Sequence, residues 1–287
     1  MSEVGSPFTI AEARDALSKL EQMHDAVGQF IDANSNEPLP SCRAEIEGRE
    51  LSSSAPIESA YAQCGLLIDV SADHLASFIR LVEEPVQTIA PWTCIRVTLE
   101  TSAIAAWLAD SRADAITRAS RSFARRYEGL MQQVKYANSC GKEGSAGNVE
   151  ERIDQVQQQA TELGLAAVFD KKGRRIGIGQ VMPHVTSLVG EMLDQEANYR
   201  MLSSIAHAHH WALTQSSFKV VREGGRLFVE RHITPFWIVA MCRMAASAFV
   251  VPVRDWSSAY GWDKEKLEEA LRPAAEIHSL KPGPPSM

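Results

Sequence analysis

The feature that most constrains this chain is the placement of single charges inside otherwise apolar helical stretches. A helix that is apolar on nearly every face is buried on nearly every face. A charge within such a helix needs a partner, because an unpaired buried charge costs several kcal/mol. The charges concerned are Arg96 and Glu100 in the stretch 85–109, Arg200 in 199–218 and Arg243 in 234–253.

Hydrophobic periodicity along the 287 residues predicts an all-α fold, a multi-helix bundle. The segment 165–182 departs from that pattern, because short apolar runs flank the basic turn 170–175. It predicts a minor β-hairpin or an irregular insertion. We expect an N-terminal helix and flexible loop over 1–56, a helical bundle domain over 57–280, and a disordered tail over 281–287.

Charge and cysteine content narrow the class of protein. The net charge of -7 argues against a general nucleic-acid coat, although not against a local basic site. Five cysteines without a CxxC pair indicate a reducing compartment, so we expect a cytoplasmic protein without disulfides. The N-terminus lacks the pattern of a signal peptide.

One stretch, 236–253, is long and apolar enough to raise the question of a membrane span. Its central Arg243 costs about 2.5–3.5 kcal/mol on membrane insertion. The sequence therefore predicts a buried core helix and no membrane association.

The charges inside these apolar stretches are unbalanced in sign. If the three charge-poor helices form the core, three arginines face the single carboxylate of Glu100. Carbonyls at a helix C-terminus could absorb one arginine, and the remaining surplus would suit a bound anion. The alternative is a structural network of buried polar groups.

The helix predicted over 196–218 carries the largest group of polar side chains that could act in catalysis. Seven residues make about two helical turns, so Arg200 and His207 share one face, with Ser203 between them. Tyr199 joins this polar stripe and His210 lies at its end, whereas His209 is expected to point to solvent.

Arg200, six further residues and His207 match the R-x(4–6)-H pattern and resemble the HEPN superfamily of all-α proteins. That resemblance implies a metal-independent ribonuclease of toxin or phage-defence type. It also implies RNA as substrate, a homodimer that builds the site at its interface, and an antitoxin or other protein partner.

A second resemblance covers more of the chain. Arg96-x3-Glu100, followed by Tyr199-x3-Ser203-x3-His207, is similar to a group of uncharacterised helical bacterial proteins. It implies that these residues meet in one site.

The predicted catalytic residues have distinct roles. His207 is the general acid or base and Arg200, helped by Arg96, stabilises phosphodiester charge. Glu100 orients one of them, and Tyr199 and Ser203 complete the site. RNA supplies its own 2′-hydroxyl nucleophile, so no cofactor or metal is expected.

Three other interpretations stay open. The same network could belong to a non-enzymatic helical binding protein. His207 and His210, at i,i+3, could bind a metal with His74 or His24. The basic turn, Lys171, Lys172, Arg174 and Arg175, could bind an RNA backbone.

Two surface features are also predicted. Five arginines of a helix over 111–138, including Arg118, form a second basic patch, for which a solvated face is the default. Trp256, Tyr260 and Trp262 are candidates for exposed apolar residues at a dimer interface.

Overall fold

The structure, a computed structural model, describes residues 6–34, 37–51, 53–83, 85–141 and 143–281. Within these ranges the chain forms eleven helices and two antiparallel hairpins, which confirms the predicted all-α class with a minor hairpin. The helices are α1 (Ile10–Ala33), α2 (Arg43–Glu50), α3 (Ala55–Leu81), α4 (Ala90–Ala109), α5 (Ala115–Ser139), α6 (Glu143–Glu162), α7 (Val185–Leu193), α8 (Glu196–Ala206), α9 (His210–Ser216), α10 (Pro235–Tyr260) and α11 (Lys264–Ser279). The strands are β1 (Ala167–Phe169), β2 (Arg175–Ile178), β3 (Phe218–Glu223) and β4 (Arg226–Arg231).

Helix α4 lies at the centre of the bundle and packs against α3, α10, α7 and α8. Its fully buried small residues, such as Ala103, Ala105 and Ala106, let neighbouring helices approach closely. Larger buried side chains, Trp92 and Leu99, fill the space between them. This central position explains why α4 tolerates so few charges.

Helix α1 also packs into the bundle, against α10 and α11. It begins with a capping box in which Thr9 and Glu12 satisfy each other's backbone N–H groups. Its apolar stripe buries Leu20, Met23 and Val27. The segment 34–56, predicted to be a loop, contains α2, and residues 282–287 of the predicted tail lie outside the described ranges.

Helix α10 contains the long apolar stretch. By length and composition alone it could cross a membrane, and 61% of its most apolar 18-residue window is buried inside the protein. Core helices of soluble proteins share this property, so the helix does not decide between the two environments.

Three sequence expectations are wrong. The predicted helix over 196–218 is two helices, because α8 ends at Ala206 and α9 begins at His210. Trp256, Tyr260 and Trp262 are buried and pack edge to face in one aromatic cluster, rather than lying exposed. Arg118 is buried rather than solvated.

The segment 165–182 forms the β1–β2 hairpin. The Asp170 carboxylate accepts from the backbone N–H groups of Lys172 and Arg174 at 2.8 and 2.9 Å. Gly173 takes a φ of +73°, which suits the turn. The second hairpin, β3–β4, turns at Gly224 and Gly225, whose φ values of +56° and +81° fit a two-residue type I′ turn.

Candidate functional site

Three of the six predicted site residues meet where α8 packs on α4. The Tyr199 hydroxyl donates to Glu100 Oε1 at 2.8 Å. Arg96 Nε lies 2.9 Å from the same oxygen, an ion pair in which the N–H does not point at its partner. The Arg96 guanidinium lies 5.8 Å from the centre of the Tyr199 ring. This trio joins the two helices.

Arg200 and Ser203 do not join this trio. The Arg200 side chain is 68% exposed and pairs with Glu196 one turn earlier, at 2.7 Å. Ser203 is half-buried, and its backbone carbonyl rather than its hydroxyl accepts from the N–H of His207, at 3.0 Å. The predicted site is therefore divided between an inner trio and an outer, exposed set.

His207 lies at the exposed end of α8. The helix stops there because Ala208 adopts a φ of +56°. The N–H of Ala208 then donates to the carbonyl of Ile205, at 2.9 Å, and the N–H of His209 to that of Ser204, at 2.8 Å. This is a Schellman motif, in which glycine is the usual residue at the left-handed position.

The motif brings two imidazoles together. The ring centroids of His207 and His209 are 6.2 Å apart, and both residues are exposed. In a continuous helix the two side chains would diverge by about 200°, which is why the sequence did not predict this pair. Trp211, in the first turn of α9, is 50% exposed.

The charge imbalance expected from the sequence is resolved within the protein. Arg243 donates to the carbonyls of Ile277 and Leu280 at the C-terminal end of α11. Arg200 has Glu196, and Arg96 has Glu100. Each of the three arginines thus has a partner within the chain.

The basic turn between β1 and β2 is partly neutralised. Arg174 pairs with Asp170 at 2.7 Å and Arg175 with Asp154 at 2.9 Å. Lys171 and Lys172 are exposed at its tip. The Arg174 side chain is also 73% exposed although it is paired, so the two lysines are the part of the predicted RNA-binding turn that has no ion pair among the residues the structure describes.

A second polar cluster, which the sequence did not predict, is buried between α2, α3 and α5. Arg118 has no exposed side-chain surface, and its Nε and Nη2 donate to the two carboxylate oxygens of Glu47 at 2.7 and 3.1 Å. The Tyr61 hydroxyl donates to Glu47 at 3.0 Å.

Arg118 also caps the end of α4. It donates to the carbonyls of Leu108 and Asp110 there, and to that of Ala113 in the turn before α5. The signal was available, since Arg118 falls on the same helical face as buried Ala115 and Ser122.

The pKa values of two carboxylates beside this cluster, Asp110 and Asp255, are shifted in opposite directions. Burial disfavours the charged form of Asp110, but hydrogen bonds from Arg112 and Arg121 outweigh it and hold its pKa at about 2. Burial raises the pKa of Asp255 to about 6, with Arg43 opposing that rise and Asp110 adding to it. Asp110 is thus a structural anion, whereas Asp255 holds its proton in weak acid.

Metal ligation by His207 and His210, with His74 or His24, was the second open interpretation. His24 lies on α1 and His74 on α3. Across the residues that the structure describes, no three His, Cys, Asp or Glu side chains form a group that could hold a metal ion.

No family model, curated protein sequence or solved structure matches this chain.

Proposed function

We propose that the exposed end of α8 and the start of α9 form a metal-independent ribonuclease site of the toxin or phage-defence type. The observation that supports this proposal is the pair of exposed imidazoles, His207 and His209, with ring centroids 6.2 Å apart. Cleavage of RNA through its 2′-hydroxyl needs a proton acceptor and a proton donor on opposite sides of one phosphate. Histidine suits both roles near neutral pH.

The chemistry balances with these two groups alone. One imidazole accepts the 2′-hydroxyl proton while the 2′-oxygen attacks phosphorus. The imidazolium of the other donates a proton to the departing 5′-oxygen. The products are a 2′,3′-cyclic phosphate end and a 5′-hydroxyl end.

Arg200 contacts a flanking phosphate in this proposal. It lies seven residues before His207, or roughly 10 Å along the helix axis, so the scissile phosphate is better served by the imidazoles. Its exposed pairing with Glu196 contributes only about 0–1 kcal/mol and is readily exchanged for a phosphate. Exposed Trp211 offers a surface on which an unpaired base can stack.

The surrounding charge favours an RNA strand. Residues 200–232 carry five lysines and arginines against two glutamates, in a chain whose net charge is -7. The segment is continuous in space, because α9 packs against both α8 and β3. Lys171 and Lys172 would extend the contact to the backbone of a longer RNA.

The decisive experiment uses the full chain with EDTA, a labelled single-stranded RNA, and the same oligonucleotide with 2′-deoxyribose at the cleavage position. Cleavage should give a cyclic phosphate, and the deoxy substitution should abolish it. His207→Ala and His209→Ala should each lower the rate about 100-fold or more. The neighbouring His210→Ala is the matched control and should leave the rate within twofold.

The proposal fails if the purified chain does not cleave, or if cleavage persists at full rate in both His207→Ala and His209→Ala. Charge reversal at Lys171 and Lys172 should weaken RNA binding, whereas Lys135→Glu, on exposed α5 surface, should not. If charge reversal at Lys171 and Lys172 weakens RNA binding no more than Lys135→Glu does, the β1–β2 turn does not contact the RNA.

One observation favours a non-enzymatic binding protein as the second candidate. The arginines of the three charge-poor helices all have partners within the chain, so the inner trio needs no substrate to explain it. Under this alternative RNA binds without being cut, or does not bind. The cleavage assay and a binding assay with the uncleavable oligonucleotide separate the two.

A further inference from the structure

The β3–β4 hairpin presents an apolar edge strand to solvent. All six residues of β4 are exposed, and its centre is the run Leu227, Phe228 and Val229, with exposures of 65%, 47% and 64%. In the part of the chain that the structure describes, the sheet has two strands only, so the outer edge of β4 carries no partner strand.

This edge lacks the devices that normally prevent strand pairing. Natural edge strands are protected by proline, a β-bulge or a charge at their centre. β4 has no proline, its register with β3 is continuous over six pairs, and its charges lie at its ends. Such an edge is suited to accept another strand.

The hairpin register determines which backbone groups point outward. In a two-residue hairpin the residues flanking the turn, Glu223 and Arg226, exchange both backbone hydrogen bonds. Inward bonding then alternates along β4, so the N–H and C=O of Leu227, Val229 and Arg231 point to the open edge. A second strand must therefore pair through these residues, of which Leu227 and Val229 lie at the centre of the edge.

We propose that a second copy of this chain occupies the edge, with two β4 strands antiparallel and centred on Phe228. Leu227 then lies opposite Val229 of the other copy in hydrogen-bonded pairs, and Arg226 lies opposite Glu230. By symmetry each of these pairs forms twice, around a central Phe228–Phe228 contact. The product is a four-stranded sheet.

Neighbouring registers fit worse. A centre at Val229 places Phe228 opposite Glu230 and Arg226 opposite His232, which loses both ion pairs. A shift of one residue places Arg226 opposite Arg231 of the other copy. It also places the backbone groups that point outward on one strand opposite groups that point inward on the other, so they cannot hydrogen-bond. Charge complementarity and backbone direction therefore select the register centred on Phe228.

The opposite edge is less suited to this partner. β3 packs on α9, and its Phe218 and Val221 are half-buried. Its exposed apolar content is lower than that of β4, since Val220 is its one exposed large hydrophobic residue. A second copy is thus expected on β4.

Cross-linking tests the register. In a non-hydrogen-bonded antiparallel pair the Cα atoms are about 4.5 Å apart, within the range that a disulfide spans. With exposed Cys140 replaced by serine, Phe228→Cys should yield a covalent dimer under mild oxidation. Val221→Cys, on the partner strand within the hairpin, should cross-link at least tenfold more slowly.

Proline substitution tests the edge itself. Val229→Pro removes an outward N–H on β4, and Val220→Pro removes the equivalent N–H on β3, so both leave the hairpin ladder intact. Sedimentation of the full chain at 5–100 µM should show a dimer that Val229→Pro weakens at least tenfold and Val220→Pro weakens less than twofold. A monomer throughout this range, equal effects of the two prolines, or equal cross-linking by the two cysteines would each overturn the proposal.

Discussion

The imidazole rings of His207 and His209 lie 6.2 Å apart on the two sides of a single residue, Ala208. Ala208 holds them there because its φ of +56° ends α8 and reverses the course of the chain. A non-glycine residue in this conformation is uncommon, and left-handed backbone tends to occur at functional positions. The local strain and the candidate chemistry thus share one turn.

Ala208→Gly should stabilise the protein. Alanine in the left-handed region costs about 1–2 kcal/mol, and the greater entropy of unfolded glycine offsets part of that relief. We expect a net gain of about 0.5–1 kcal/mol, seen as a rise of about 2 °C in the melting temperature.

The matched control for that change is Ala206→Gly, in the last turn of α8, which should lower stability by about 0.5–1 kcal/mol. RNA cleavage should be unaltered in Ala208→Gly, since glycine keeps the same turn. Equal destabilisation by both glycines would mean that Ala208 is not in the left-handed conformation.

Arg118→Met should be among the most destabilising single changes. It leaves Glu47 buried without its main partner. It also removes the donor for three carbonyls at the end of α4 and in the turn that follows, those of Leu108, Asp110 and Ala113. Breaking one side of a buried ion pair costs about 3–5 kcal/mol. Urea unfolding should register this as a large fall in midpoint.

Arg272→Met is the control for Arg118, because Arg272 and its partner Glu269 are both exposed, with 63% and 73% of their side-chain surface accessible. It should cost about 0–1 kcal/mol. The double variant Arg118→Met with Glu47→Leu should recover part of the loss. A double variant that is less stable than Arg118→Met alone would contradict the ion-pair account.

The buried cluster also marks a limit of sequence reasoning. Helical periodicity sufficed to predict the helical class, but the five arginines of α5 were interpreted as a solvated basic face, whereas Arg118 is buried. The partner could not be predicted, because Glu47 is 71 residues away on a short helix in a segment whose composition indicates a loop. Buried ion pairs depend on tertiary contacts, which local periodicity does not encode.

The candidate site was predictable in part for a similar reason. Arg96 and Glu100, four residues apart on α4, form an ion pair, and Tyr199 donates to Glu100. The pairing of His207 with His209 was missed because alanine, not glycine, occupies the position that ends α8. Without a glycine or proline the sequence carries no local stop signal.

Tyr199→Phe tests whether the inner trio is structural. Removing the hydroxyl loses its hydrogen bond to Glu100, and the Glu100 carboxylate, whose side chain is 26% exposed, keeps Arg96 as its partner. We expect a loss of about 1 kcal/mol in unfolding free energy. RNA cleavage should fall less than threefold, because the trio joins α8 to α4 without touching substrate. A loss as large as that of His207→Ala, with stability unchanged, would place Tyr199 in the chemistry instead.

Asp255→Asn should stabilise the protein at neutral pH and change the shape of its pH dependence. The pKa of Asp255 is raised to about 6 by burial, above the value near 4 of an unfolded chain. Between these two values the folded state holds a proton that the unfolded state has released, so this residue makes stability fall as pH rises from about 4 to 6. A shift of this size corresponds to about 3 kcal/mol, which solvent screening at a partly exposed side chain reduces to about 1 kcal/mol.

Asp110→Asn is the control of opposite sign. The Asp110 pKa of about 2 means that its carboxylate stabilises the fold above about pH 4 and loses that effect as pH falls towards 2. Melting curves from pH 3 to 8 should therefore show Asp255→Asn gaining stability over the parent above pH 6 and converging with it near pH 4, while Asp110→Asn loses stability at neutral pH. Parallel curves for Asp255→Asn and the parent across the whole range would show that Asp255 does not titrate as its burial requires.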